Sequence, residues 1–553
     1  MSARWHWISL LLTLNFFALP SWASEAELDS AVTELLAAVE SEQPGIAVGL
    51  VRDGELVVAR AVGLADLSFA IPLEIDTPMN IGSTGKQFTG YAVALLHERG
   101  QLSLDDDIRD YFPELPDFGE TVTLRHLATH TSGYREFLNT LALAGVRIEK
   151  GDWIEQEEAI ALILRQPELQ NSPGAEWNYN NTGYVLLAKV IEQVTETPFA
   201  DWLTQEVFEP LDMNATQVRS DPTVVLAGAA RGYSKDGEEW REARDLGGAP
   251  GAGAVYTTVA DMARWMKELG SFANGESAVG GMLTEPFEGT TYGLGLMIED
   301  WRGQRRWQHG GGDLGHLSEF YYYPDLKAGV MVFANHHELP SGLVTDLTEL
   351  LIGDALQDTK PEEVPGEPGA EFTDAFFDVL AGRYELEAAP GFVLRFFRDD
   401  DRYMIQATGQ PAFEITPVDA QTFTIDVVDA RIVFDVDEDG EVSSLTLFQN
   451  GEHRAVRLDE DNNDTAPPNR ADFVGRYFSA ELEAFYEVDL NEDELVLRHR
   501  RFGPIKLNHE GGDSFGSDFP ITSVDFERDE DDQVIGLKAG NQRTRDVWFE
   551  RVD

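Results

Sequence analysis

The sequence predicts an α+β protein: an α/β sandwich with one helix-covered sheet, followed by two small antiparallel β-barrels. Three observations predict it. Apolar, strand-like runs stand at both ends of the stretch Ser24 to Asp354 with amphipathic helical stretches between them, so one sheet must be assembled from distant segments. A proline- and acid-rich segment, Lys360 to Phe372, then separates this part from a tail of short alternating strands. That tail repeats itself: AGRYEL at Ala381 returns as VGRYFS at Val474, Phe423 as Phe515, and IVFDVDEDGEVSSL at Ile432 as VDFERDEDDQVIGL at Val524, at an offset of 92 or 93 residues.

The chain opens with Arg4, an apolar run from Ile8 to Leu19 and the small-x-small triplet Ser21-Trp22-Ala23. This reads as a signal peptide over residues 1–23, cut after Ala23; the apolar run is too short to span a bilayer comfortably. There is no cysteine in the 553 residues, hence no disulfide, thiolate metal site, cysteine nucleophile or thiol for lipid attachment. A free periplasmic or secreted protein is expected, with no stable membrane anchor after cleavage. The 99 acidic residues against 42 basic ones, a net charge of −57, would repel a phosphate backbone, which excludes nucleic acid as a partner. Only nine of the basic residues are lysine, an acidic surface compatible with a salty environment.

PGIAVGLVRDGELVVARAVGLAD reads as two strands joined at Asp53-Gly54. In NIGSTGKQFTGYAVALLHERG, Phe88, Tyr91, Ala92, Leu95 and Leu96 recur at helical spacing and Gly100 stands where the helix should stop. TGYVLLAKVIEQVTETPFADWL and VYTTVADMARWMKEL give two further helical regions, and RRWQHGGGDLGHLSEFYYYPDLKAGVMVFAN reads as successive strands broken at the glycines and at Pro324-Asp325. The boundaries that follow are a catalytic unit over 24–355, a linker over 356–372, a first repeat over 373–459, a linker over 460–470 and a second repeat over 471–553. Each repeat has the length of a closed barrel of about eight strands. DVDEDGE resembles a calcium loop only in its acids; it lacks the closing glutamate of an EF-hand and falls at a strand turn, so no metal is assigned.

Ser83 and Lys86 stand three apart in the first turn of the helix that opens at STGK. They are either a cap and a solvated charge or a nucleophile and its base. A serine hydroxyl needs its proton taken before it attacks, and a lysine can take it if burial keeps the amine neutral. Tyr179-Asn180-Asn181 sits in a loop before another helix; it is either an asparagine-rich turn or a phenol that passes protons beside an amide that holds lysine and substrate. His309 to Gly312 is either a hairpin turn with an incidental histidine or an active-site strand whose glycines admit a substrate backbone.

Each pattern is weak alone; their order is specific. S-x-x-K, then Tyr-x-Asn at Tyr179 and Asn181, then His-x-Gly at His309 and Gly311, at intervals of 96 and 130 residues, resembles the serine β-lactamase and penicillin-binding-protein superfamily. The likeness is to the class C-like branch with its D-alanyl-D-alanine carboxypeptidase, D-aminopeptidase and esterase relatives, and it covers Leu28 to Asp354 through segments such as TLRHLATHTSG and GAGAVYTTVADMARW. It implies a β-lactamase/transpeptidase-like catalytic domain, with the doubled tail similar to the lipocalin-like barrels appended in D-aminopeptidases. It implies Ser83 as nucleophile, Lys86 and Tyr179 as proton shuttle, Asn181, His309 and Gly311 as substrate-orienting residues, and the backbone N–H groups of Ser83 and Gly312 as oxyanion hole, with no metal or cofactor.

The expected function is an exported serine hydrolase that works through an acyl-enzyme on small peptides or amides containing D-amino acids. A carboxylic-ester hydrolase or weak β-lactamase is the alternative enzyme, and a peptidoglycan-fragment or partner-binding module the non-enzymatic one. His309 occupies the place where β-lactamases of this superfamily usually carry a lysine, which lowers the expectation of β-lactam hydrolysis. In the second repeat, Arg498, His499, Arg500 and Arg501 form a basic cluster that either balances nearby acids or gates the active-site mouth.

Overall fold

The computed structural model describes residues 23–553 except 245–248, 274, 276, 358–371, 388–392, 400–401, 408–411, 426–429, 438–439, 449–451, 459–467, 493 and 542. Most of the expected signal segment, nearly all of the first linker, much of the second and the middle of DVDEDGE therefore lie outside the described residues.

The catalytic unit is built on a six-stranded antiparallel sheet whose order is Met297–Trp301, Gln304–Asp313, His316–Tyr323, Ala328–Ala334, Ile46–Arg52 and Glu55–Val62. The two N-terminal strands thus close onto strands from the far end of the unit, joined in register at Ile46 opposite Ala334. Asp53 and Gly54 make the tight turn between the first two, both at positive φ. Ile46–Arg52 is apolar throughout because both its faces are covered. Ile46, Val48 and Leu50 join Leu28 and Val32 of the first helix and Leu343 and Leu347 of the last, while Ala47 and Val51 join the core on the other face.

Into that second core pack the helices Lys86–Glu98, Thr182–Thr195 and Val259–Phe272. Phe88 meets Trp265 at 4.9 Å between ring centroids, and Gly100 ends the first of these helices at φ 68°. One expectation fails here. The glycines of HGGG do not break the chain: Gly310, Gly311 and Gly312 lie inside the strand Gln304–Asp313, and the turn falls at Leu314-Gly315. Tight packing against the turn that carries Ser83, described below, is what calls for glycine there.

The first repeat is a closed eight-stranded barrel running from Gly382–Leu386 to Glu452–Arg457. The second is a nearly closed antiparallel barrel: its strand order runs from Ile505–Lys506 to Asn508–Gly511, two strands separated in the chain only by Leu507. The repeat is visible in side-chain chemistry: the GRY tyrosines, Tyr384 and Tyr477, each donate from the hydroxyl to a carbonyl four residues back, Leu380 and Phe473, at 2.7 Å. The first barrel has its own core, whereas Phe473, Tyr477, Tyr486 and Phe549 of the second belong to the same continuous cluster as the catalytic unit.

Candidate active site

Ser83 lies in a short 3₁₀ turn, Gly82–Gly85, that runs directly into the helix Lys86–Glu98. In a 3₁₀ turn side chains three apart eclipse, so this local geometry sets Lys86 over Ser83. Several bonds fix the turn to the sheet. Thr84 Oγ1 donates to the carbonyl of His309 at 3.1 Å and meets Ser318 Oγ at 2.8 Å, and Ser318 Oγ donates to the carbonyl of Ile81 at 2.7 Å.

Lys86 is fully buried. Its Nζ stands 2.9 Å from Ser83 Oγ, 2.7 Å from Asn181 Oδ1 and 2.6 Å from the carbonyl of Ala252. Burial drives its pKa well below the usual lysine value, with the nearby Arg543 adding to the effect and Glu136 opposing it. Once neutral, the amine keeps two hydrogens for Asn181 and Ala252, and its lone pair faces the Ser83 hydroxyl.

Asn181 is oriented in turn by Glu136, a buried carboxylate that sequence reading had not singled out. The Asn181 amide donates from Nδ2 to Glu136 Oε1 at 2.8 Å. Because a carboxylate only accepts, this contact forces the amide oxygen toward Lys86. The other Glu136 oxygen accepts from the backbone N–H of Asn139 at 2.8 Å, capping the helix Phe137–Leu143. The helix cap and the brace of Asn181 are thus one side chain, and a glutamate before an apolar run signals only the cap.

Tyr179 stands beside them, its ring centroid 5.0 Å from Lys86 Nζ and 4.2 Å from the ring of His130. Its cationic neighbour does not lower its pKa below the ordinary value: burial outweighs the opposing effects of Ser83 and Arg543, and the phenol is held well above that value. Tyr179 is therefore a neutral phenol at rest, its buried hydroxyl turned to Ser83 without an ordinary hydrogen bond among the described residues.

His309 is buried and saturated. Its Nδ1 stands 2.6 Å from the carbonyl of Gly310, which can only accept, so Nδ1 carries the hydrogen and Nε2 accepts from the Tyr292 hydroxyl at 2.8 Å. Burial, then the proximity of Lys86, lowers its pKa to about 3, so the ring is neutral. It holds Tyr292 in the site wall and has no nitrogen free to meet a substrate or relay a proton. Gly311 has a packing reason as well. A Cβ there would fall 2.0 Å from the carbonyl oxygen of Ile81 and 2.9 Å from the Thr84 nitrogen, so this glycine lets the strand press against the Ser83 turn. Gly312 faces open space, and its backbone lies against Gly82: a Cβ on Gly82 would meet the Gly312 nitrogen at 2.9 Å. The neighbouring strand covers Gln304–Gln308 only, so among the described residues 309–313 present a free sheet edge to the cleft.

The basic cluster lies elsewhere. Arg498 pairs with Asp489 of its own barrel at 2.6 Å, His499 packs on Gly145, and Arg501 pairs with Asp152 at 2.6 Å. A different turn of the second repeat reaches the site. Arg543, between the strands Val534–Asn541 and Thr544–Arg551, sets its guanidinium 4.9 Å from the centroid of the Tyr179 ring.

The chain is similar to known proteins. The Beta-lactamase family matches residues 28–353. A penicillin-binding protein of Bacillus subtilis (strain 168) is 26% identical over 434 residues, spanning 73% of this chain and 93% of that protein. A D-aminopeptidase of Cereibacter sphaeroides is 27% identical over 378 residues, 66% of this chain and 70% of its own. Among solved structures, the octameric penicillin-binding protein homologue from Pyrococcus abyssi aligns with a TM-score of 0.54 at 25% identity, over 78% of this chain and 99% of that one. The D-amino acid amidase from Ochrobactrum anthropi SV3 complexed with L-phenylalanine aligns at 0.50 and 25% identity, over 60% of this chain and 98% of its own. With that family matching more than half of its length, the chain belongs to the beta-lactamase family of serine hydrolases.

Proposed function

We propose that this enzyme cleaves amide bonds in peptides or amides containing D-amino acids, through an acyl-enzyme on Ser83. The observation that carries the reading is the buried Lys86 amine, 2.9 Å from Ser83 Oγ and depressed in pKa by burial. Lys86 takes the Ser83 proton as Oγ attacks the carbonyl carbon, and the oxygen of the tetrahedral intermediate faces the backbone N–H groups of Ser83 and Gly312. Tyr179, neutral at rest, gives its proton to the departing amine and recovers one from Lys86. Water then attacks the ester, Lys86 again accepting the proton and passing it to Ser83 Oγ as the acyl–Oγ bond breaks and the acid departs. The substrate class is supported by similarity to a D-aminopeptidase and to a D-amino acid amidase. The site is proposed to work outside the cytoplasm after cleavage behind Ala23, a reading supported by the Ser21-Trp22-Ala23 triplet and checked by N-terminal sequencing of the exported protein.

Intact-mass analysis after exposure to a fluorophosphonate tests the nucleophile: an adduct is expected on the wild type and none on Ser83→Ala. D-alanine amide, a D-Ala-D-Ala peptide and a short aryl ester then separate amidase from esterase by kcat/KM. Turnover confined to the ester would overturn the amide assignment. Absence of any adduct with serine-directed reagents would overturn the mechanism.

A further inference from the structure

The turn that carries Arg543 is fixed to the rim of the active site. The Arg543 carbonyl accepts from Gln170 Nε2 at 3.2 Å and from Asn178 Nδ2 at 3.3 Å. Next along, Thr544 Oγ1 donates to the carbonyl of Glu136 at 3.0 Å, and Arg545 donates from its backbone to Gln170 at 3.2 Å and pairs with Glu176 at 2.8 Å. The Arg543 side chain itself is exposed and, among the described residues, has no carboxylate partner. Arg135, Arg165, Arg501 and Arg545 at the same interface are ion-paired, and Arg147 there donates to the carbonyl of Arg501, in a chain with 99 acidic residues. A guanidinium without a carboxylate partner, on a pinned backbone, is a fork of donors ready for a planar anion.

The other cationic groups of the site cannot fill that role. His309 is neutral with both nitrogens engaged, and Lys86 is committed to Ser83, Asn181 and Ala252. Arg543 is thus the permanent cation whose field reaches Lys86, Tyr179 and His130.

From this geometry we infer that Arg543 is a specificity-determining residue that binds a carboxylate of the substrate, so that the second repeat selects anionic peptides for Ser83. The inference rests on the amidase reading of the same site and narrows it, favouring peptides with a free acid over those recognised by a free amine, which the same guanidinium would repel.

Binding separates the two readings. N-acetyl-D-Ala-D-Ala and its C-terminal amide are titrated calorimetrically into the full-length Ser83→Ala protein. The acid is expected to bind about 10- to 100-fold tighter than the amide, the scale of one charge-assisted contact, and the difference should shrink as salt is raised. Adding Arg543→Ala should abolish the difference, and Arg543→Lys should keep part of it. Equal affinities, no measurable binding of the acid, or a preference that survives Arg543→Ala would overturn the inference and leave Arg543 as a clamp on Tyr179. A preference that depends on Arg543 without acylation of Ser83 in the active protein would instead sink the amidase reading and leave the anion site standing.

Discussion

In the proposed mechanism Lys86 works as a neutral amine, and its surroundings pull both ways on that state. Burial and Arg543 favour the neutral amine, and the Glu136 carboxylate favours the ammonium. Only the neutral form accepts the Ser83 proton, so kcat/KM should fall as pH is lowered through the Lys86 pKa, which lies well below 10.5. Removing the Glu136 charge lowers that pKa further. Glu136→Gln should therefore move the acid limb of the kcat/KM profile to lower pH; a limb that stays put or moves up would show that Lys86 does not sense Glu136. Lys86→Ala should cost roughly 10²- to 10⁴-fold in kcat, the range of a positioned general base, with the circular dichroism spectrum unchanged. Near-wild-type turnover in Lys86→Ala would remove it from the mechanism. His309, already neutral above a pKa of about 3, should contribute nothing to that limb.

At the scale of elements, the strand Gln304–Asp313 shows what could and could not be read from sequence. The stretch reads as successive strands, but three glycines in a row carry the same local signature whether they end a strand or let it lie against another backbone. The distinction is tertiary: it depends on the Ser83 turn, more than two hundred positions away in the chain (Ile81 to Gly311). For the same reason Ser83, Lys86, Tyr179 and Asn181 were legible as an ordered set of motifs, whereas Glu136, Tyr292 and Arg543, which act through long-range contacts, left no local mark. Two glycines one step apart should respond oppositely. Gly311→Ala drives a Cβ to 2.0 Å from a carbonyl oxygen that cannot yield, so it should cost roughly 1–3 kcal/mol of stability and most of kcat. Gly312→Ala meets nothing within 4 Å, so its Tm should stay near wild type while KM rises where substrate backbone meets the free edge. Equal losses of Tm in both variants would contradict this division.

Across the whole molecule, the two repeats differ in attachment more than in fold. The first keeps a separate core, while the second shares one with the catalytic unit and docks through buried polar contacts. Arg135, almost inaccessible, donates to the carbonyls of Arg545 and Asp546 at 2.9 and 3.1 Å and pairs with the buried Glu481 at 3.2 Å. Tyr486 donates to the carbonyl of Leu143 at 2.8 Å. A buried ion pair adds little net stability over a well-packed apolar pair, but removing one partner strands the other charge. Glu481→Leu alone should therefore cost about 3–5 kcal/mol at this interface, and Arg135→Met with Glu481→Leu should recover most of it. Scanning calorimetry reads the result: the single variant should show the second repeat unfolding ahead of the catalytic unit, and the double variant should restore a joint transition. The docked turn also donates to the carbonyl of Glu136, so the single variant should lose kcat in proportion to undocking. A Glu481→Leu protein that melts in one unshifted transition would mean that the shared apolar core, not the Arg135 pair, holds the second repeat against the active site.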